Sequence, residues 1–364
     1  MHTAGIICHR SKEAKDIGLR DEGSSASTGT RPTSMSTIIP TIRLNDDDHA
    51  ATVRAVRNAC IDTGFFYVAG HGIDTSSLLQ QSKLLFDLPV AEKRAVSDAT
   101  LTRGYTAMRE ETLDPANQTV GDTKEGFYIS VNDIALDDPR FNPAKLAGPN
   151  QWPDAIKCPS MQDPEAFKST MWTYMQQITA VSIAIVRLIA ESLGLPANHF
   201  DEAVAKEPLA SLRLLHYEAT LSNIGVGIYA CGAHTDYGMI TVLLTDDNDG
   251  LQIYDKRGSQ EWIPVPTVPG CFVVNLGDML ERWTNGVYCS TLHRVVNRTG
   301  RERYSAPFFF EPAFDTVVEC LEVCCSADNA ARYLPTTSGE HLLSKYRLTH
   351  ADFAPVAGDT GKRV

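Results

Sequence analysis

Residues 233–244 read AHTDYGMITVLL, a His-x-Asp pair that runs directly into an apolar segment. The apolar part, residues 239–244, has the length of a buried strand. Residues i and i+2 of a strand point to the same side, so His234 and Asp236 present an imidazole and a carboxylate together. This stretch predicts a β core that carries a pair of metal ligands at its edge.

The His-x-Asp pattern occurs twice more, and its surroundings separate the three copies. His199 and Asp201 follow a Gly-Leu-Pro helix stop, where Asp201 is expected to cap or begin the next short helix. His350 and Asp352 lie in a polar stretch with no histidine after them. Only the copy at 234–236 enters a predicted β core.

A third ligand is available downstream in His293, which lies in the strand-like run 289–296, fifty-nine residues after His234. Two histidines and one carboxylate on one face of a mononuclear iron leave positions open for other ligands. The alternative is a hydrogen-bonded polar cluster, but two imidazoles and a carboxylate converging in an apolar core are costly without a cation. We therefore expect His234, Asp236 and His293 to bind a metal.

An Arg-x-Ser pair begins ten residues after His293. Arg303 and Ser305 share one face of a predicted strand, and a guanidinium beside a hydroxyl suits the distal carboxylate of a chelating co-substrate. Arg257 and Ser259 repeat the pattern, but this copy precedes His293 and reads as an exposed hairpin turn. We expect Arg303 and Ser305 to form the anion site.

Helices come first along the chain and short strands second. Apolar periodicity and helix stops predict helices at about 48–63, 75–86 and 164–193, a strand at 65–68 and an edge strand at 38–42. Residues 100–160 read as mostly irregular. Short strands after Pro208, typical of a sandwich, jelly roll or barrel, are expected at 211–217, 239–245, 251–254, 261–265, 271–275, 289–296 and 303–310. A final helix is expected at about 338–346.

Composition narrows the class of partner. The 364 residues carry 33 Lys+Arg against 45 Asp+Glu, a net charge of −12, which argues against nucleic acid as the main partner. Apolar stretches such as 183–189 are broken by Arg187 and fall short of the ~20 residues that a membrane span needs. Nine cysteines without a framework indicate free thiols in a reducing compartment. We expect a soluble, cytoplasmic protein that is a monomer or a weak homo-oligomer.

Seven segments together resemble the isopenicillin N synthase-like family of iron(II)/2-oxoglutarate-dependent oxygenases. The resemblance extends from about residue 38 to 350. In chain order the segments are 64–72 (GFFYVAGHG), 214–217 (LLHY), 233–238 (AHTDYG), 250–252 (GLQ), 275–278 (NLGD), 293–297 (HRVVN) and 303–305 (RYS).

The resemblance implies a mainly β protein with flanking helices, built on a distorted double-stranded β-helix of the jelly-roll, cupin-like type. The iron(II) ligands then correspond to His234, Asp236 and His293. The residues that hold 2-oxoglutarate correspond to Arg303, Ser305 and Tyr217. Many plant members carry Asn two residues before this tyrosine, where this chain has Leu215.

Four regions are expected along the chain, the first of them because residues 1–36 are rich in Ser, Thr and Gly and show no apolar period. These are a flexible N-terminal tail (1–36), a helical and strand region packing on the barrel (37–207), the iron and 2-oxoglutarate jelly-roll core (208–312) and a C-terminal segment with a helix near the barrel mouth (313–364).

Pocket walls are expected from position along the chain at Tyr105, Phe127, Tyr237 and Phe310. Arg213 shares a strand face with Tyr217, so it either enters the cavity and meets an acidic substrate or the co-substrate, or forms a salt bridge at the rim. His216 alternates with Tyr217 and is expected to pack on the opposite side of the strand.

The expected activity is that of an oxidoreductase, a dioxygenase that consumes O2 and 2-oxoglutarate and oxidises a small organic molecule, with hydroxylation as the default outcome. Ascorbate is a candidate reductant. Two alternatives remain at this stage. One is an iron oxidase of the same family that does not use 2-oxoglutarate and performs ring closure or ethylene formation. The other is a catalytically silent binding protein.

Overall fold

The computed structural model describes residues 39–205 and 207–349. The strands predicted after Pro208 form two facing sheets, and strands from the first half of the chain extend the larger of the two. The strands are β1 (Thr41–Arg43), β2 (Phe65–Ala69), β3 (Ser97–Asp98), β4 (Arg103–Thr106), β5 (Lys124–Ser130), β6 (Ser211–Tyr217), β7 (Cys231–His234), β8 (Ile240–Thr245), β9 (Leu251–Tyr254), β10 (Trp262–Pro264), β11 (Phe272–Leu276), β12 (His293–Val295), β13 (Arg303–Phe310), β14 (Val317–Val318) and β15 (Thr336–Thr337). The helices are α1 (His49–Asp62), α2 (Ser76–Phe86), α3 (Val90–Arg94), α4 (Pro164–Ser192), α5 (Asp201–Ala205), α6 (Asp278–Trp283) and α7 (Ser338–Thr349). The predicted tail at 1–36 and the pair His350 and Asp352 lie outside the described residues.

The larger sheet has nine strands in the order β1-β2-β11-β8-β13-β6-β5-β4-β3, and the smaller has four in the order β10-β9-β12-β7. Neighbouring strands are antiparallel in both sheets except at the edge, where β1 runs parallel to β2. Strands distant in sequence pair side by side, as in a jelly roll. The predicted fold class, a distorted double-stranded β-helix with flanking helices, is confirmed.

Strand alternation gives the larger sheet two different faces. The inner face packs on the smaller sheet through an apolar cluster that includes Leu215 on β6 and Ile253 on β9. The outer face packs on the helices through a larger cluster that includes Phe308 on β13 and Ile178 on α4. A polar residue on the inner face therefore enters the space between the sheets, which is where the predicted ligands lie.

Helix α4 is the longest element and covers the outer face. Asp163 caps it by accepting a hydrogen bond from the Ala166 amide (2.8 Å), and Pro164 occupies the first turn, where a missing N–H costs nothing. The helix is long and apolar enough to cross a membrane by length and composition alone. Its apolar stripe packs against α1, α2, β8 and β13, as expected of the core helix of a globular domain.

Two predicted stretches differ in the structure, and one helix lies where none is predicted. The stretch 100–160, predicted to be irregular, contains β4 and the fully buried strand β5 in the larger sheet. The predicted strand 289–296 shortens to β12, because Cys289 and Thr291 bond instead to the backbone at the end of α1. Helix α6 lies in a stretch for which no helix was predicted.

Candidate active site

His234, Asp236 and His293 lie together between the two sheets. His234 ends β7, His293 begins β12, and the two residues are direct partners across that antiparallel pair. One ligand atom from each of the three side chains lies within 4.8 Å of the other two. The structure thus brings together the three side chains that the sequence predicts as metal ligands.

Each histidine is oriented by a backbone carbonyl two residues before it. His234 Nδ1–H donates to the Gly232 oxygen (2.9 Å), and His293 Nδ1–H donates to the Thr291 oxygen (3.0 Å). A carbonyl only accepts, so the proton is on Nδ1 and the lone pair is on Nε2. Both Nε2 atoms lie 3.7 Å from Asp236 Oδ1 and face the centre of the triad. A metal-binding histidine usually donates a hydrogen bond in this way from the ring nitrogen that faces away from the metal.

One oxygen of the Asp236 carboxylate accepts hydrogen bonds, and the other oxygen faces the histidines. Oδ2 accepts hydrogen bonds from the Thr241 hydroxyl (2.5 Å) and from Asn275 Nδ2 (2.7 Å). Thr241 lies on β8 and Asn275 on β11, so two strands of the larger sheet fix the carboxylate. Oδ1 is left for a cation.

Protonation states in the triad suit a divalent metal. Burial, followed by the charge of His234, lowers the pKa of His293 to about 4. Burial by itself would raise the pKa of Asp236, but His293, His234 and the hydrogen bonds from Asn275 and Thr241 lower it overall. At neutral pH the site therefore offers a neutral imidazole at His293 and an anionic carboxylate, the forms that bind metal.

Arg303 and Ser305 lie in the same cavity as the triad, on the inner face of β13. Arg303 Nε donates to the Asn248 carbonyl oxygen (3.1 Å), and its guanidinium lies over the Tyr217 ring, 4.9 Å from the centroid. One terminal guanidinium nitrogen of Arg303 and the Ser305 hydroxyl are buried and have no hydrogen-bond partner among the described residues. Unpaired buried donors of this kind are costly, and a carboxylate satisfies both, so these residues fit the distal end of 2-oxoglutarate.

A buried group of charges lines another wall of the cavity. Arg213 contacts Glu111 (2.9 Å) and stacks over the Tyr128 ring at 4.3 Å from the centroid. Lys124 also contacts Glu111 (2.8 Å) and pairs with Asp122. Arg213 therefore enters the cavity, and its salt bridge is buried at the wall and not exposed at the rim. Two cations and two anions in contact leave this wall without net charge.

Three predicted pocket walls, Tyr105, Phe127 and Phe310, are wrong. All three belong to the outer cluster beneath the helices. Tyr105 and Phe127 face each other across β4 and β5, and the Tyr105 hydroxyl donates to Glu125 on that side (2.6 Å). Phe310 is one residue out of phase with Phe309, which does line the cavity.

Two other predictions concern neighbouring residues. Tyr237 is half-buried directly after Asp236 and makes a perpendicular ring contact with Tyr346 on α7 (6.2 Å between centroids). His216 faces the outer side as expected, where it stacks on Tyr304 at 4.7 Å and bonds to Glu125.

Sequence reasoning missed several polar residues around the cavity. Lys124 and Tyr128 lie on the inner face of β5, a strand that was not predicted. Asn275 lies in segment 275–278 of the family resemblance, but the sequence gives no sign that it contacts Asp236. The apolar residue Phe309 also lines the cavity, and the sequence could have predicted it, because Phe309 is four residues from Ser305 and so shares its strand face.

Comparison with known proteins agrees with this geometry. Residues 211–312 match the 2OG-Fe(II) oxygenase superfamily, and residues 39–155 match the region described as non-haem dioxygenase in morphine synthesis, N-terminal. The first match contains the triad and the Arg-x-Ser pair. The second contains β5 and three members of the charged wall, Glu111, Asp122 and Lys124, whereas Arg213 lies in the first.

Full-length relatives extend the agreement over most of the chain. A 2-oxoglutarate-Fe(II) type oxidoreductase of Emericella nidulans is 36% identical over 313 residues, covering 83% of this chain and 85% of the relative. A homoarginine-6-hydroxylase of Arabidopsis thaliana is 34% identical, covering 83% and 90%. A Neurospora crassa protein solved with α-ketoglutarate and thymine superposes with a TM-score of 0.71 at 30% identity, covering 85% of this chain and 96% of that one. The chain belongs to the 2-oxoglutarate- and iron(II)-dependent oxygenase superfamily.

Proposed function

We propose that this dioxygenase binds iron(II) through His234, Asp236 and His293 and holds 2-oxoglutarate with Arg303, Ser305 and Tyr217 while it hydroxylates a small organic molecule. One observation carries the assignment. The unpaired donors of Arg303 and Ser305 and the inward-facing ligand atoms of the triad line a single cavity.

Bound iron would supply the oxygen chemistry, coupling oxidative decarboxylation of 2-oxoglutarate to succinate and CO2 with oxidation of a C–H bond. The protein supplies orientation. Gly232 and Thr291 hold the two imidazoles with Nε2 inward, while Thr241 and Asn275 leave one Asp236 oxygen available. Arg303 and Ser305 place the co-substrate by its far carboxylate. Apolar side chains such as Leu243 and Phe309 line the cavity and exclude water from it.

Composition and relatives support the finer assignments of this proposal. The substrate is a small molecule, as in the thymine complex and the homoarginine hydroxylase named above. We place the protein in the cytoplasm as a monomer or weak homo-oligomer, since the cysteines of the described residues are free thiols and the chain is acidic. Ascorbate is our candidate reductant. Of the predicted C-terminal segment 313–364, we assign residues 313–349 to the barrel mouth, where Lys345 on α7 contacts Asp278 (2.8 Å); residues 350–364 lie outside the described part of the chain.

The test is anaerobic titration of the Fe(II)-loaded protein with 2-oxoglutarate, monitoring the weak visible charge-transfer band of a chelated keto acid. The band is expected in the wild type and absent in His234→Ala. His199→Ala is the matched control, because His199 begins another His-x-Asp pair but is exposed. Iron binding without a band would instead favour the oxidase that does not use 2-oxoglutarate, and failure to bind iron would favour a binding protein.

A further inference from the structure

Glu311 is a buried carboxylic acid close to the metal triad. It directly follows β13 and continues the inner face on which Arg303, Ser305 and Phe309 lie. Its side chain is 6% exposed. No described residue donates a hydrogen bond to its carboxyl group or forms an ion pair with it. A buried acid with no partner is costly and calls for a ligand.

The backbone beside the triad leaves room for this side chain. Gly238 comes two residues after Asp236, and a Cβ built at Gly238 would lie 2.3 Å from Glu311 Cγ and 3.0 Å from its Oε1. Any larger residue at 238 would displace the carboxyl group. The Glu311 side chain therefore lies over the loop that carries the aspartate ligand.

Glu311 and the Arg-x-Ser pair lie on opposite sides of the triad along β13. Phe309 pairs with Thr241, the residue that bonds to Asp236, so this point of the strand is level with the triad. Arg303 lies six residues to one side, and Glu311 lies two residues to the other. Arg303 thus lies on the co-substrate side of the triad, and the Glu311 carboxyl group lies beyond the triad on the other side. Burial and then the charge of Asp236 raise the pKa of Glu311 to about 8, so its carboxyl group holds a proton at neutral pH until a cation binds beside it.

Two tyrosine rings lie beside the loop that Glu311 covers. Tyr346 makes a ring contact with Tyr237, the neighbour of Gly238. Aromatic faces together with a carboxylate are a recurring arrangement around organic cations.

The protein's own cations near this end have other partners. Lys345 donates to Asp278 (2.8 Å), and Arg213 pairs with Glu111 (2.9 Å). Arg103 donates to the carbonyl oxygens of Leu101 and Leu146. None of these contacts involves the Glu311 carboxyl group.

We propose that Glu311 is the specificity-determining residue of this enzyme and binds the ammonium or guanidinium group of a cationic small-molecule substrate. The inference rests on the proposed function, because it requires the substrate to occupy the space beside the triad. A cationic group held there by Glu311 and the tyrosines places the rest of a small amine or guanidine next to the metal.

The test uses two guanidinium compounds and their uncharged urea analogues of the same shape: homoarginine with homocitrulline, and agmatine with N-carbamoylputrescine. Binding to the anaerobic Fe(II)- and 2-oxoglutarate-loaded protein is measured by calorimetry. The wild type is expected to bind at least one guanidinium compound ten-fold or more tightly than its urea analogue. Glu311→Gln keeps the size of the side chain but removes the charge, so it should lose that preference.

Two controls separate the possible failures. Glu261→Gln makes the same change at an exposed hairpin position and should keep the wild-type preference. The keto-acid band and the melting temperature of Glu311→Gln should match those of the wild type. With the band intact, no preference in the wild type, or a preference retained in Glu311→Gln, overturns the role of Glu311 alone. Absence of the band from the wild type overturns the proposed function and this inference with it.

Discussion

At the scale of single residues, the triad combines local and distant restraints. Each histidine is oriented by a carbonyl two residues earlier, and Thr241 is five residues from Asp236. Asn275 is 39 residues away from Asp236 and is the long-range restraint on the carboxylate. Partners of this kind tune metal affinity because they hold the ligand in its binding orientation.

Removing the Asn275 amide should weaken metal binding without removing a ligand. Outer partners of metal ligands typically contribute about 10- to 100-fold in affinity, so Asn275→Ala should raise the Fe(II) dissociation constant by that factor. Anaerobic competition with a chromophoric chelator measures it. Asn198→Ala, an exposed position beside the unused His199, should leave the affinity unchanged. Unchanged iron affinity in Asn275→Ala would show that Thr241 is sufficient to hold Asp236.

Arg303→Ala should separate co-substrate binding from metal binding. Loss of a buried charged partner costs about 2–5 kcal/mol, so the 2-oxoglutarate dissociation constant should rise by about 100-fold while iron affinity stays the same. Titration of the keto-acid band gives both values. Arg257→Ala tests the exposed Arg-x-Ser copy and should bind 2-oxoglutarate normally. The reverse result would move the carboxylate site to the hairpin.

At the scale of elements, β5 joins the cavity to the helical layer. Its inner face carries Lys124 and Tyr128, whereas its outer face carries Glu125. Glu125 accepts hydrogen bonds from Lys93 on α3 (2.7 Å), Tyr105 on β4 (2.6 Å) and His216 on β6 (2.8 Å). One carboxylate therefore connects a helix and three neighbouring strands.

Glu125 should make the free energy of unfolding depend on pH in the acid range. Burial by itself would raise the pKa of Glu125, but the hydrogen bonds from His216, Lys93 and Tyr105 lower it overall. The unfolded state then binds the proton more readily, so this contribution is complete above the ordinary glutamate pKa of about 4.3 and is lost as the pH falls through the lower folded value. Urea unfolding between pH 7 and pH 3 should show the loss.

In Glu125→Gln this acid dependence should largely disappear, and stability at pH 7 should fall by about 3 kcal/mol, because Lys93 keeps a buried charge without its partner. Glu207→Gln, which breaks an exposed pair with Arg140, should cost less than about 1 kcal/mol. If the stability of Glu125→Gln fell as steeply at acid pH as that of the wild type, other carboxylates would account for the pH dependence.

At the scale of the whole molecule, ligands should stabilise the fold, because the binding site is assembled from both sheets. The triad comes from β7, β12 and the loop after β7, and the anion site comes from β13. A ligand that binds only the folded state at 100 times its dissociation constant adds about 2.7 kcal/mol. For a domain of this size that corresponds to a rise in melting temperature of about 5 °C.

Differential scanning calorimetry under anaerobic conditions should show this rise with Fe(II) and 2-oxoglutarate, and a chelator should reverse it. His234→Ala should show little rise, since its triad is incomplete. Equal stabilisation of the wild type and His234→Ala would place the metal elsewhere in the molecule.

The sequence by itself determined a β core of short strands, the metal triad and the Arg-x-Ser pair, and the resemblance to a known family narrowed that core to the jelly-roll class. These features depend on strand alternation and on ligand types at short spacing, which adjacent residues display directly. His234 and Asp236 share a face because they are two residues apart, and Arg303 and Ser305 share one for the same reason. Only the pairing of His234 with His293 needed a long-range contact, and the resemblance to a known family supplied it.

Only the tertiary structure decided which other residues surround the cavity. A shift of one residue along a strand moves a side chain to the other face, so Phe309 lines the cavity while Phe310 lies under the helices. Strand β5 begins with the charged pair Lys124 and Glu125, and the burial of Lys124 depends on partners such as Glu111 that lie outside the strand. Glu311 also has a location that no local pattern reveals, since its burial depends on Gly238 in a different strand connection. Residues far apart in sequence make these contacts, and their positions follow from sheet register, which the free energy of the whole fold sets.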